Sequence, residues 1–161
     1  MKTLLFVLEI DPMQAGQAYQ RLALHCTVMH RFKTESSVQG ILAATHVTFA
    51  QTPPIQLEIG SGDIFGPSGK PKTISVNHVK KTSELGKLHL ALYDTLNRLS
   101  VAYTEPGFVG KGYTPHVSEQ NGKRLSEGQT RTAHAIYLVE ILNKFDSKSK
   151  YVHARIPLAG S

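Results

Sequence analysis

Three tripeptides in the sequence place a hydroxyl two residues after an imidazole: His25-Cys26-Thr27, His46-Val47-Thr48 and His116-Val117-Ser118. On a β-strand, residues two apart share a face, so the imidazole and the hydroxyl project into the same space. On a helix they point in different directions. His46 falls at the end of a run with helical spacing and is set aside as structural, whereas His25 and His116 fall on segments that read as strands. Two imidazoles and two hydroxyls suit phosphoryl transfer without a metal. One neutral histidine takes the proton of the attacking water or hydroxyl, and the other, protonated, gives one to the leaving oxygen. An unperturbed pKa of about 6.5 lets both forms coexist near neutrality. Thr27 and Ser118 would donate hydrogen bonds to the non-bridging phosphate oxygens, where charge grows in the transition state. The intervening Cys26 and Val117 point the other way, and Cys26 reads as a small buried hydrophobe rather than a reactive thiol.

Other chemistries find less support. Eight histidines invite a zinc reading, but there is no His-Glu-x-x-His, no cysteine pair and no obvious carboxylate near either tripeptide. The single cysteine excludes an internal disulfide framework. No Gly-x-Ser-x-Gly elbow is present, and Gly66-Pro67-Ser68-Gly69-Lys70 has the wrong spacing for a Walker loop. The expectation is therefore an activity with no metal and no cofactor. A formal net charge of +6 favours anionic partners, although Lys80-Lys81 and Lys144, Lys148 and Lys150 are short clusters that read as solvated faces. The apolar run Leu4 to Leu8 is closed by Glu9 and Asp11, so it reads as a buried strand rather than a signal peptide. Nothing approaches the roughly 20 apolar residues that span a bilayer. A soluble, cytoplasmic monomer with one domain over residues 1–161 is expected.

The elements that must position the tripeptides follow from periodicity. A strand is predicted over residues 3–10, then a segment over 13–22 that tolerates a short helix, then a strand over 23–32 carrying His25. Ser36 and Ser37 can cap a helix through Val38, Ile41, Leu42 and Thr45 that ends before Pro53-Pro54. Residues 55–59 alternate as a strand, 60–72 read as a glycine-rich loop that can begin by continuing it, and 73–79 return to strand. From Ser83, Leu85, Leu88, Leu92, Leu96 and Leu99 form an apolar stripe with helical periodicity. A glycine-rich connection over 105–112 leads into the His116 segment, 113–119. A polar loop over 120–131 and strands over 133–142 and 151–157 complete the chain. This order argues an α+β domain with antiparallel sheet rather than a doubly wound parallel one.

The chain resembles the 2H phosphoesterase superfamily, in particular the bacterial and phage LigT or 2′-5′ RNA ligase-like proteins. The resemblance runs through Leu24-His25-Cys26-Thr27-Val28, Pro54 to Ile59 leading to Phe65-Gly66, Leu85, Leu88-His89 and Leu96, and Tyr113-Thr114-Pro115-His116-Val117-Ser118. It also puts His46 outside the motifs. It implies a bilobal α+β fold with two pseudo-symmetric lobes, antiparallel sheets around a central groove, and one His-x-Thr/Ser from each lobe. The implied activity is metal-independent hydrolysis of 2′,3′-cyclic phosphates at RNA ends, of 2′-5′ linkages or of cyclic oligonucleotides. The alternatives are a nucleotide-binding sensor of the same fold and RNA 2′-5′ end joining. Many relatives continue the second motif towards an arginine where Glu119-Gln120 stand here, which leaves Lys111, Arg124 or Arg131 to supply charge. Met29 continues the face of His25 and Thr27, so it either lines the groove floor or joins the core. Phe65 and Tyr113, on glycine-flanked segments, either stack on a base or pack internally. His30, His78, His89, His134 and His153 lack a partner at useful spacing and read as surface or satisfied core residues.

Overall fold

The computed structural model describes residues 1–66, 69–144 and 147–160, with the side chains of 143, 144, 147 and 148 left out. Pro67 and Ser68 of the 66–70 stretch, and the Lys144 and Lys148 side chains, thus lie outside the described residues. The strands are β1 (Lys2–Glu9), β2 (Ala18–Tyr19), β3 (His25–Thr34), β4 (Ile55–Phe65), β5 (Ile74–Val79), β6 (Ala102–Tyr103), β7 (His116–Ser118), β8 (Thr130–Ala133), β9 (Ala135–Lys144) and β10 (Ser147–Pro157). The helices are α1 (Val38–Gln51) and α2 (Ser83–Arg98). One sheet has the order β2-β10-β9-β1-β3-β6 and the other β7-β5-β4-β8, every pair antiparallel. This is the bilobal α+β arrangement expected from the sequence.

The all-apolar run of β1 is explained by its place in the larger sheet, between β9 and β3 with both faces covered. Leu4, Phe6 and Leu8 pack with the helices and with the smaller sheet, among Ile41, Phe49, Leu85, Leu92, Ile55, Leu57 and Val117. Leu5 and Val7 pack on the other face with Met13, Leu22, Tyr137, Val139 and Val152. Across that second face Arg155 donates two hydrogen bonds, each 2.9 Å, to the Glu9 carboxylate, which also accepts from the Tyr137 hydroxyl. These charge-assisted bonds hold the Glu9 carboxyl below its ordinary range.

Both helices start on side-chain caps, which satisfy backbone N–H groups that have no partner within the helix. Ser37 accepts from Gly40 N–H at 3.0 Å. For α2 the cap is Thr82, which accepts from Leu85 N–H at 3.3 Å, and Ser83 is the first helical residue. Leu85, Leu88, Leu92 and Leu96 are buried, as their spacing predicts.

Two segments of open reading are decided by their neighbours. Residues 13–22 form no helix, because Gly16 sits at φ 85° and the Gly16 and Gln17 backbones bond to Val152, which recruits the segment as an edge strand. Residues 60–65 take the strand continuation that the sequence allows and form the second half of β4. A register shift between Ile59 and Gly62 absorbs the glycines, and the absent Cβ of Gly62 leaves room for the Arg124 guanidinium, 2.7 Å from where that carbon would stand.

Candidate active site

β3 and β7 belong to different sheets yet run in contact, so the two tripeptides face one another. The contact is sealed from below. Cys26, fully buried, sets its thiol against the His116 backbone and the Tyr113 hydroxyl, and Tyr113 donates to the Thr27 carbonyl at 2.8 Å. Burial pushes the Cys26 thiol up to about 12, so it is an inert core group, as expected. Val117 is buried likewise. The alternation that buries Cys26 and Val117 leaves His25, Thr27, His116 and Ser118 half-buried on the other side of their strands.

The two imidazoles are held alike. His25 Nδ1 lies 2.8 Å from the Ala23 carbonyl, and His116 Nδ1 lies 3.0 Å from the Thr114 carbonyl. In each case the acceptor is the carbonyl two residues earlier. A carbonyl only accepts, so Nδ1 carries the hydrogen and Nε2 is the atom that gains or loses a proton. Burial lowers the pKa of both rings, partly offset by the carbonyl bonds. Charge on His116 and on Lys150 lowers His25 further, and charge on His78 does so for His116. Neither the Thr27 nor the Ser118 hydroxyl makes a hydrogen bond among the described residues, so both can donate to an anion.

Around this centre the structure separates the remaining predicted residues. Phe65 lies edge-on to His116, with ring centroids 4.8 Å apart, and also flanks His78. His78 is the cross-strand neighbour of His116 and lies 2.9 Å from the Asp63 carboxylate. Met29 is a correction: it is 0% exposed, in the core with Phe6. β1 and β3 slip register so that Val7 faces Thr27 but Phe6 faces Met29, and the extra residue reverses the alternation. Tyr113 is a second correction: at 2% exposure it offers no face to a base, and its ring stacks on His89 at 4.0 Å. His89 is itself satisfied by the Val28 carbonyl and Gly110 N–H. Lys111 is exposed in the turn Gly110–Gly112 and makes no ion pair or hydrogen bond among the described residues.

Neither alternative arginine replaces it. Arg124 bonds to the Asn77 side chain and the Val76 carbonyl, and Asn77 alternates to the strand face opposite His78. Arg131 is exposed on β8, beyond β4 from the motif strand.

Counting by twos along β3 missed His30, because the same register slip that buries Met29 turns His30 onto the face of His25 and Thr27. Its ring lies 6.1 Å from His116 and 5.8 Å from Phe108. Lys150 belongs by composition to a solvated cluster, yet its charge reaches His25. Among the described residues no group of three or more histidine, cysteine, aspartate or glutamate side chains is placed to hold a metal ion. His46 is exposed on α1. No helix among the described residues is long and apolar enough to cross a membrane.

The 2′-5′ RNA ligase superfamily model matches residues 6–151. The chain belongs to this superfamily. Among solved structures it is similar to TT0787 of Thermus thermophilus, at 14% identity and a TM-score of 0.67 with all of both chains covered. It is also similar to a phosphoesterase, at 14% identity and a TM-score of 0.62, and to E. coli LigT complexed with 3′-AMP, at 14% and 0.59. Each of these comparisons covers 98% of both chains. At such identity the likeness shows a shared fold. No curated protein matches the chain. Within the superfamily match, both His-x-Thr/Ser tripeptides lie inside the aligned residues.

Proposed function

We propose that this member of the superfamily is a metal-independent phosphodiesterase that cleaves 2′,3′-cyclic phosphates or the phosphodiester bonds of 2′-5′ and cyclic oligonucleotides. The observation that carries the reading is the matched pair of imidazoles, each with Nδ1 tied to the carbonyl two residues before it and Nε2 left for chemistry. One neutral Nε2 removes the proton of the attacking water, and the other, protonated, delivers a proton to the leaving oxygen. The Thr27 and Ser118 hydroxyls donate to the non-bridging oxygens between them. Lys150 adds positive potential on the His25 side. The nucleotide in the LigT complex with 3′-AMP supports a ligand of this class.

Because burial depresses both histidines, the proton on the acid is scarce in the free protein, and a bound phosphate anion is what restores it. The base works above its pKa and the acid below its own. With both below the ordinary value of 6.5, kcat/KM is expected to follow a bell with its maximum below pH 6.5 and an alkaline limb that begins before neutrality. A pH–rate profile with its maximum above 7 would contradict this assignment of acid and base.

The activity itself is tested by incubation, with EDTA present, of 2′,3′-cyclic mononucleotides, 2′-5′ oligoadenylates and cyclic di- and trinucleotides. At least one set is expected to be converted to a linear phosphate product. If all remain intact, the reading is wrong.

A further inference from the structure

His30 differs from the other histidines whose bonding is described. His25 and His116 each have one nitrogen on a carbonyl, His89 has both engaged, and His78 and His153 each face a carboxylate. His30 is half-buried, yet neither ring nitrogen has a hydrogen-bond partner among the described residues. No fully buried side-chain nitrogen or oxygen among those residues lacks a partner, so the His30 nitrogens still reach solvent, and the ring itself lies against His116 and Phe108. A half-buried imidazole whose nitrogens have no protein partner can exchange water for the hydrogen-bonding groups of a ligand.

Beside it, on the turn Pro106–Phe108, the Phe108 ring is 46% exposed although it flanks a half-buried imidazole. The turn is fixed by close approach of two glycines: a Cβ on Gly112 would stand 2.0 Å from the Gly107 carbonyl oxygen. An exposed flat apolar ring and an unpaired donor–acceptor ring, both within reach of the His116 side of the groove, match what an unpaired nucleobase presents: a face to stack and an edge to hydrogen-bond.

We infer that His30 and Phe108 form a nucleobase-reading subsite beside His116, Phe108 stacking on the base and His30 hydrogen-bonding its edge. The inference rests on the nucleotide reading above and deepens it by naming the part of the substrate that is read. Burial, together with nearby positive charge on His116 and Arg31, brings His30 down to about 4. The ring therefore stays neutral in the working range, with one nitrogen donating and the other accepting.

The test is equilibrium binding by calorimetry, which needs no turnover. The probes are 3′-AMP, an abasic ribose phosphate and inorganic phosphate, titrated into the intact wild-type chain and into His30→Phe and Phe108→Ala. Wild type is expected to bind 3′-AMP more tightly than the abasic probe. Each variant is expected to weaken 3′-AMP by about ten-fold while moving the abasic probe and phosphate by less than about two-fold.

His30→Phe keeps the ring area and removes only the hydrogen bonds, and Phe108→Ala lies on an exposed turn, so a folding failure of one leaves the other informative. Equal loss for the abasic probe would place the His30 contact on the sugar or phosphate and overturn base reading. Unchanged 3′-AMP affinity in both variants would do the same. Base-dependent binding in a chain that cleaves nothing would support this subsite and count against the phosphodiesterase reading alone.

Discussion

Alanine at His25 or at His116 is expected to lower kcat by about 10²- to 10⁴-fold, the usual contribution of a positioned general acid or base. KM should change little. Each imidazole is anchored by a backbone carbonyl rather than by a side chain, so removing one ring leaves the rest of the groove in place. In the proposed mechanism the two act in one proton-transfer cycle, so the double variant is expected to lose far less than the product of the single losses. Steady-state kinetics on whichever substrate the panel identifies, with circular dichroism to establish folding, measures this. Either single variant within ten-fold of wild type would remove that histidine from the chemistry.

The second large effect is on stability. Tyr113→Ala is expected to cost about 3–5 kcal/mol, the range for truncating a buried aromatic ring. The Tyr113 ring fills the space between His89 and Cys26, and its hydroxyl reaches across to the Thr27 carbonyl of the other sheet. Tyr113→Phe keeps the ring and is expected to cost about 1 kcal/mol, the net worth of one hydrogen bond. Urea unfolding of the three proteins reports both numbers. A loss under about 1 kcal/mol for the alanine variant would mean that the two motif strands are joined by something other than this side chain.

The tripeptides were legible in the sequence because their signal is local. A strand puts residues two apart on one face, and the α1 helix excludes His46 for the same geometric reason. The leucine stripe of α2 was legible because 3.6-residue periodicity survives any neighbour. What was not legible depended on pairing with distant strands. Met29 and His30 exchanged faces because β1 and β3 slip by one residue, and nothing in the 25–34 segment itself announces that slip. Tyr113 carries the glycine neighbours of an exposed aromatic, but its burial is decided by His89, on a helix packed beneath it. Residues 60–65 read from composition as a loop that can begin by continuing the strand before it, and how far the strand runs is decided by pairing with β5.

The carbonyl anchors at Ala23 and Thr114 have a consequence for how this centre tolerates change. A carboxylate that orients a catalytic histidine is deleted by one base change and neutralised by acid, whereas a peptide oxygen is removed by neither. Substituting the side chain at either position leaves the tether in place, so drift in the surrounding sequence erodes binding preferences long before it disorients the rings. Under the proposed function, the orientation of both proton-transfer rings is therefore insulated from side-chain change on the segments that hold them.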